Sequence, residues 1–168
     1  MKKVKIYSDG SARANPDGPG GYGTVVKYLD NNENVVRTEE FTAGFKITTN
    51  NRMELMGVIA GLESLREPYD VTVISDSSYV VNAFNKKWID NWLSNGWKTS
   101  TGKPVKNDDL WKKLLLVKSS HNVVFLWIKG HNGHPENERC DYLATSSADG
   151  KNLVKNSNGI YEEVKSEE

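Results

Sequence analysis

The chain has 168 residues, of which 37% are hydrophobic and 26% are charged, a composition typical of one globular domain with a sizeable core. Its 22 basic and 22 acidic residues cancel, so the net charge does not indicate a nucleic-acid partner. No apolar run approaches the roughly 20 residues of a membrane span, and the N-terminus lacks the apolar core of a signal peptide.

The sequence contains one cysteine, Cys140, which excludes an internal disulfide. A chain without disulfides is typical of a reducing compartment. We therefore expect a cytoplasmic protein with no membrane association, and we expect it to be a monomer.

The first part of the chain has the pattern of antiparallel strands. Residues 4–7 alternate weakly and predict a strand that ends at Asp9. Residues 20–29 and 35–45 flank the turn-rich segment DNNEN and predict a β-hairpin. Short connections of this kind join antiparallel strands.

The rest of the chain alternates between helix and strand patterns. Helices are predicted over residues 48–65, 77–89, 108–119 and 136–148. Strands are predicted at VTVIS and at VVFLWI, and the second is apolar enough to be buried on both faces. This order predicts an α/β domain over residues 1–149, with a mixed five-stranded sheet and helices on both faces. Residues 150–168 form a polar C-terminal tail that we expect to be flexible or loosely docked.

Four acidic residues stand at separate places in this pattern. Asp9 and Asp76 each follow a predicted strand, Glu54 lies near the start of the first helix, and Asp141 lies on the last helix. Parallel neighbouring strands would place Asp9 and Asp76 side by side, beyond the carboxyl ends where ligands bind in open α/β sheets. Two carboxylates 4 Å apart repel by about 4 kcal/mol at an effective dielectric constant near 20. A hard cation such as Mg²⁺ or Mn²⁺ would relieve that repulsion.

Each acidic residue also has an ordinary structural interpretation. Asp9 fits a turn, and Asn51 with Glu54 fits a helix capping box. Asp76 fits a helix N-cap, and Asp141 fits a surface position. These interpretations account for the residues one at a time but not for the four together.

A basic and aromatic segment runs from Lys86 to Lys118. It contains eight lysines against three aspartates, a local balance of +5, and four of the five tryptophans. Basic residues interleaved with aromatic ones suit a phosphate backbone with stacking or sugar contacts. The alternative is a solvated helical region whose tryptophans belong to the core, and composition does not decide between the two.

The segment KGHNGHPENERCD begins at Lys129 and contains His131, His134 and Cys140. These three residues could be zinc ligands, but their spacing fits no common zinc pattern and a fourth ligand is lacking. Histidine is a residue type suited to proton transfer, and a glycine-containing loop can move it. We expect this second role for His131.

The segments IYSDGSA, TNNRMEL, ISDSSYV and KGHNGHPENERCD occur in that order and resemble the motifs of type 1 ribonuclease H. The resemblance covers about residues 3–148. It implies a ribonuclease H-like fold and a metal-dependent endonuclease that cuts the RNA strand of RNA–DNA hybrids. The expected products carry a 5′-phosphate and a 3′-hydroxyl.

The resemblance also implies the metal site. Asp9, Glu54, Asp76 and Asp141 match the family's metal-binding acids, which hold two Mg²⁺ ions with Mn²⁺ as a substitute. It implies that Asp9 bridges both ions. Glu54 and Asp76 would hold the ion at the leaving group, and Asp76 and Asp141 the ion at the nucleophile. His131 matches the histidine of the mobile catalytic loop.

The substrate contacts implied by the resemblance fall into three groups. The ribose 2′-hydroxyl would be read by Asn15, Asn51 and Ser77. A phosphate of the DNA strand would be held by Thr49 and Asn107, and the deoxyribose side would contact Trp88 and Trp92.

The sequence departs from the family pattern at three places. Asp17 is an extra residue in the loop after the first strand, and Ser78 stands where glutamine is common. Leu93, Ser94 and Asn95 replace charges in the usually basic segment, which predicts weaker and less salt-sensitive substrate binding. Another nuclease with the same core and a non-catalytic hybrid-binding module remain as alternatives. The histidine loop argues against the first, and the complete set of acids argues against the second.

Overall fold

The computed structural model describes residues 1–14, 18–150 and 153–156. The strands are β1 (Lys3–Ala12), β2 (Gly18–Leu29), β3 (Val35–Thr48), β4 (Asp70–Ser75), β5 (Asn122–Trp127) and β6 (Leu153–Asn156). The helices are α1 (Asn50–Glu63), α2 (Ser78–Asn85), α3 (Trp88–Ser94), α4 (Asp108–Lys118) and α5 (Pro135–Ala148). Within these ranges, none of the helices combines the length and apolar character that crossing a membrane requires.

The strands form one mixed sheet in the order β5-β4-β1-β2-β3-β6. β1, β4 and β5 run parallel to one another, and β1, β2 and β3 form an antiparallel meander. The predicted fold class is confirmed. The sheet contains the five predicted strands and, in addition, a short sixth strand, β6, which pairs with β3. β6 falls within the predicted C-terminal tail. Residues 151–152 and 157–168 lie outside the described residues, and the domain boundary at 149 stays a prediction.

Helices cover both faces of the sheet, as predicted. α1 packs on one face of β1 and β2 and is covered in turn by α4, which is why its residues from Arg52 to Ile59 are all buried. α5 packs on the other face, against β1, β2 and β3. At Gly23 a Cβ atom would lie 2.3 Å from the backbone oxygen of Cys140. Glycine in β2 therefore sets how closely α5 approaches the sheet.

The β2–β3 hairpin forms where DNNEN predicted it. The Asp30 carboxylate accepts hydrogen bonds from the backbone N–H groups of Asn32 and Asn34, both at 2.9 Å. Glu33 takes a left-handed conformation with φ of 64°. A side-chain-to-backbone turn of this kind is typical of aspartate and explains why the strands reverse here.

The helix predicted over residues 77–89 is wrong in extent, because it is two helices. α2 ends before Lys87, which has φ of 59°, a conformation that interrupts a right-handed helix. In one continuous helix, Val80 and Phe84 would place Trp88 next on the buried face. Ile89 is the residue that is buried instead, so the chain must turn before it.

The prediction that β5 is buried on both faces is also wrong. β5 is an edge strand, and Val124, Leu126 and Trp127 are each at least half exposed. One face is covered through Phe125, whose ring stacks on Phe84 of α2 with centroids 4.0 Å apart. α5 lies over β1, β2 and β3 instead of β5, which leaves the other face open. An apolar run does not reveal whether a strand is central or at an edge.

Candidate active site

The topology of the sheet brings two distant acidic residues together. Ser8 of β1 pairs with Ser75 of β4 in a parallel register, so Asp9 and Asp76 follow at the same edge of the sheet. The prediction that the first strand ends at Asp9 is wrong, because β1 continues to Ala12 through its pairing with β2. Glu54 reaches this edge from α1. One carboxylate oxygen from each of the three acids lies within 4.8 Å of the others.

Backbone and buried atoms fix this group of acids, which we call the acidic cluster (Asp9, Glu54 and Asp76). The backbone N–H of Gly10 donates to Asp9 Oδ1 at 2.9 Å and to Glu54 Oε1 at 3.2 Å. Glu54 Oε2 is buried and has no hydrogen-bond partner. A buried carboxylate oxygen without a partner is costly unless a cation balances it. The acidic cluster therefore fits a divalent metal site.

Electrostatics inside the acidic cluster oppose ionisation. Burial, as the larger cause, and repulsion from Asp76 raise the pKa of Asp9 to about 7. Burial and repulsion from Asp9 and Asp76 raise the pKa of Glu54 well above its ordinary value. The pKa of Asp76 is also raised by burial, although His131 and the Asn137 side chain act to lower it. A bound cation would remove this penalty, and three carboxylates select a hard ion.

Asp141 and His131 line the same cleft as the acidic cluster. This open cleft has a volume of about 400 Å³. Asp141 projects from α5 and repels both Asp9 and Asp76 strongly enough to contribute to their raised pKa values. The structure thus brings three of the predicted metal ligands into one cluster and places the fourth beside it.

His131 is carried by the loop that follows β5. Ile128 N–H donates to the backbone oxygen of Ser75 at 3.0 Å, which holds the start of this loop beside Asp76. His131 is exposed and has φ of 53°. A Cβ atom on Gly130 would lie 2.6 Å from Asp76 Oδ2, so the loop passes directly over that carboxylate.

The zinc alternative is not supported. In the described part of the chain, the acidic cluster is the one group of three acidic, histidine or cysteine side chains that brings its ligand atoms together. Cys140 is buried against β2, and burial raises the pKa of its thiol. His131 and His134 are exposed in the loop before α5.

Several predicted substrate contacts lie at the rim of the cleft. Asn51 and Ser77 line it, and Ser77 rather than Asp76 is the N-cap of α2. Thr49 is the N-cap of α1, and its hydroxyl accepts from Arg52 N–H at 3.2 Å. The capping-box interpretation of Asn51 and Glu54 is therefore wrong, because α1 begins two residues earlier. Asn15 lies outside the described residues.

The basic and aromatic segment has a mixed role. Trp111 is fully buried and packs against Trp92, with ring centroids 5.4 Å apart, whereas Trp88 is 36% exposed. Trp88 and Trp92 line a groove with Asn91, Asn95, Lys98, Thr99 and Ser100. Core packing and an exposed aromatic surface thus coexist here, and neither of the two interpretations holds alone.

Asn107 lies at the start of α4 in a left-handed conformation with φ of 61°. Its Oδ1 accepts from Arg52 Nη1 at 3.2 Å, and its Nδ2 donates to the Tyr79 hydroxyl at 3.1 Å. Sequence reasoning did not single out Arg52 or Tyr79. Arg52 lies in TNNRMEL and Tyr79 in ISDSSYV, but their contacts join residues 55 and 28 positions apart and depend on the tertiary fold.

Asn137 is a further candidate site residue that was not predicted from the sequence. It is 3% exposed, and its side chain acts to lower the pKa of Asp76. The sequence feature that could have indicated Asn137 is its position in the PENE segment at the start of a helix. A buried asparagine beside a metal-binding carboxylate orients that ligand.

Comparison with known proteins agrees with this geometry. The sequence model of the family described as RNase H matches residues 1–149. The chain belongs to the ribonuclease H family. It is 59% identical to a ribonuclease H of Lachnoclostridium phytofermentans, covering 90% of this chain and 96% of that one. It is 51% identical to a ribonuclease H of Oleidesulfovibrio alaskensis, covering 88% and 92% of the two chains.

Solved structures show the same ribonuclease H fold. LC9-RNase H1, a type 1 enzyme, superimposes with a TM-score of 0.78 at 30% identity, covering 89% of this chain and 74% of that one. LC11-RNase H1, solved in complex with an RNA/DNA hybrid, has a TM-score of 0.58 at 26% identity, covering 87% and 96% of the two chains. The family predicted from the four motifs is confirmed.

Proposed function

We propose that the chain is an endonuclease that hydrolyses the RNA strand of RNA–DNA hybrids with two divalent metal ions. The observation that carries the proposal is the acidic cluster, with its unpartnered Glu54 Oε2, at the floor of an open polar cleft. Mutually repelling carboxylates would weaken a surface that only bound phosphate. Similarity to a family member solved with an RNA/DNA hybrid supports the choice of substrate.

The acidic cluster would hold the metal ions, with Asp141 as the fourth ligand. When bound, two such ions supply an activated water and stabilise the leaving oxygen. The Gly10 N–H orients the carboxylate of Asp9, and the buried Asn137 side chain favours the ionised form of Asp76. His131, exposed on its loop at the cleft, is suited to carry a proton to or from the reacting oxygens. The products would be a 5′-phosphate and a 3′-hydroxyl.

Recognition of the hybrid would use polar groups around the cleft. Asn51 and Ser77 line it, and asparagine amides can both donate to and accept from a ribose 2′-hydroxyl. Thr49 and Asn107 would hold a phosphate of the DNA strand, and Trp88 and Trp92 would contact its sugars. Six lysines of the basic segment are exposed on the same part of the chain: Lys86, Lys87, Lys98, Lys103, Lys106 and Lys112.

The remaining expectations stay predictions. Mg²⁺ is the proposed ion because the proposed ligands are all oxygens, with Mn²⁺ as its substitute. The monomeric state, the cytoplasmic location and the contact of Asn15 with the ribose also stay predictions.

A panel of nucleic acids tests the proposal. An RNA–DNA hybrid, an RNA duplex, a DNA duplex and single-stranded RNA, each labelled on either strand, are incubated with the protein and Mg²⁺. Internal cuts in the RNA strand of the hybrid alone are expected. The new 5′ ends should accept label from a polynucleotide kinase only after phosphatase treatment. Cutting of the DNA strand, or trimming from the ends, would instead support another nuclease with the same core.

A further inference from the structure

One hydroxyl group connects the acidic cluster to the basic and aromatic segment. Tyr79 lies in the first turn of α2, three residues after Asp76, and lines the same cleft. Its hydroxyl accepts two hydrogen bonds from the region of α4, from Asn107 Nδ2 and from Trp111 Nε1, both at 3.1 Å. A tyrosine hydroxyl can accept as well as donate, and both of these contacts use its oxygen as the acceptor.

The other end of the Asn107 amide is held from α1. Arg52 Nη1 donates to Asn107 Oδ1 at 3.2 Å, and the same guanidinium donates to both carboxylate oxygens of Asp109 at 2.9 and 2.6 Å. Arg52 is 7% exposed and lies two residues before Glu54. Arg52 of α1 and Tyr79 of α2 therefore hydrogen-bond to the oxygen and to the nitrogen of the Asn107 amide, respectively.

These two contacts leave one N–H of the Asn107 side-chain amide to donate to a ligand. The amide nitrogen carries two hydrogens, and one of them is directed to the Tyr79 hydroxyl. The backbone of Asn107 is left-handed, a conformation that asparagine tolerates better than most residues. Neither the orientation of the amide nor the start of α4 can change without breaking these contacts.

We propose that Tyr79 is a positioning residue for the substrate: with Arg52, its hydroxyl presents the Asn107 amide to a phosphate of the DNA strand. This inference rests on the proposed function. The phosphate contact would be set at a fixed place relative to the acidic cluster, because α1 and α2 hold both. Tyr79 would thereby act on substrate binding and not on the chemical step.

A double-mutant cycle on hybrid cleavage tests the proposal. Asn107→Gly removes the amide and keeps the left-handed backbone available, and should raise the KM for the hybrid about tenfold, the loss expected for one charge-assisted hydrogen bond. Tyr79→Phe removes only the hydroxyl and should raise KM about threefold, with kcat within about twofold, since a disordered donor is weakened but not lost. In the Asn107→Gly background, Tyr79→Phe should change KM by less than about 1.5-fold.

The comparison variant is Tyr69→Phe, which makes the same chemical change at another place. Tyr69 directly precedes β4, whereas Asp76 follows the other end of that strand. It should leave KM unchanged. Additive effects of Tyr79→Phe and Asn107→Gly would overturn the proposal, as would a Tyr79→Phe defect confined to kcat. A wild-type protein that cuts no hybrid would overturn the proposed function itself. If the wild type cuts the hybrid and Tyr79→Phe has the same KM, only the role of Tyr79 is overturned.

Discussion

Asp9 lies within β1 and Asp76 directly follows β4, each one residue beyond the paired Ser8 and Ser75, and their carboxylates share one site with Glu54. No hydrogen bond to Glu54 Oε2 offsets the burial of that oxygen. The surrounding fold therefore holds the three carboxylates together against their mutual repulsion. The effect of this repulsion on the stability of the protein can be measured without substrate.

Asp9→Asn should stabilise the metal-free protein while abolishing cleavage. Burial and repulsion raise the pKa of Asp9 to about 7, so the ionised side chain disfavours the folded state near neutral pH. A neutral amide of the same shape removes that penalty. We expect a rise in Tm of about 3–8 °C in chelator, corresponding to about 2 kcal/mol, measured by calorimetry.

The matched control is Asp90→Asn, the same change at an exposed position on α3. Surface substitutions of this kind change stability by less than about 0.5 kcal/mol. A lower Tm for Asp9→Asn than for the wild type in chelator would contradict the clustered-acid account.

The advantage of Asp9→Asn should depend on pH. The pKa of Asp9 is raised to about 7 in the folded protein from an ordinary value near 3.8, so folding takes up a proton between these values. The stability of the metal-free wild type therefore falls as pH rises through this range. The Tm difference between Asp9→Asn and the wild type should be largest near pH 8 and should shrink towards about pH 5. A difference that grows on acidification would show the opposite sign.

Gly130→Ala should weaken metal binding with little effect on the fold. The new Cβ atom would lie 2.6 Å from Asp76 Oδ2, so we expect that carboxylate to be displaced from its place in the acidic cluster. Displacing a ligand in this way typically costs about tenfold in metal affinity. The Mg²⁺ concentration for half-maximal hybrid cleavage should rise by about that factor. Asn132→Ala, at an exposed position of the same loop, should leave it unchanged, and equal effects of the two variants would contradict the account.

Leu93→Lys should make hybrid binding more sensitive to salt. Leu93 is 53% exposed on α3, in the segment where charges are missing relative to the family pattern. A lysine that reaches one more phosphate steepens the plot of log affinity against log salt by about 0.9. Binding titrations at several salt concentrations would measure this, with Leu93→Gln as the uncharged control. An unchanged slope would place α3 away from the hybrid.

The parts of the fold predicted from sequence are those governed by local signals. The β2–β3 hairpin follows from the Asp30 turn, and α1 follows from its apolar periodicity. Asp9 and Asp76 could be placed side by side because the carboxyl ends of parallel strands share one edge. The family motifs then supplied Glu54 and Asp141, whose approach to that edge depends on how α1 and α5 pack.

The errors arose where tertiary packing decides the outcome. The break at Lys87 follows from which residue of the next helix is buried, Ile89, and the exposed face of β5 follows from the path of α5 over other strands. The Asn107–Tyr79 contact joins two helices. Periodicity describes one element at a time and contains no information about such contacts.

The most direct test compares the wild type with Asp76→Asn on an end-labelled RNA–DNA hybrid, in Mg²⁺ and in chelator, with binding measured alongside cleavage. We expect internal cuts in the RNA strand by the wild type in Mg²⁺ only. We expect Asp76→Asn to bind the hybrid without cutting it. Cleavage by the wild type in chelator, or undiminished cleavage by Asp76→Asn, would contradict the claim that the acidic cluster performs the reaction through bound metal.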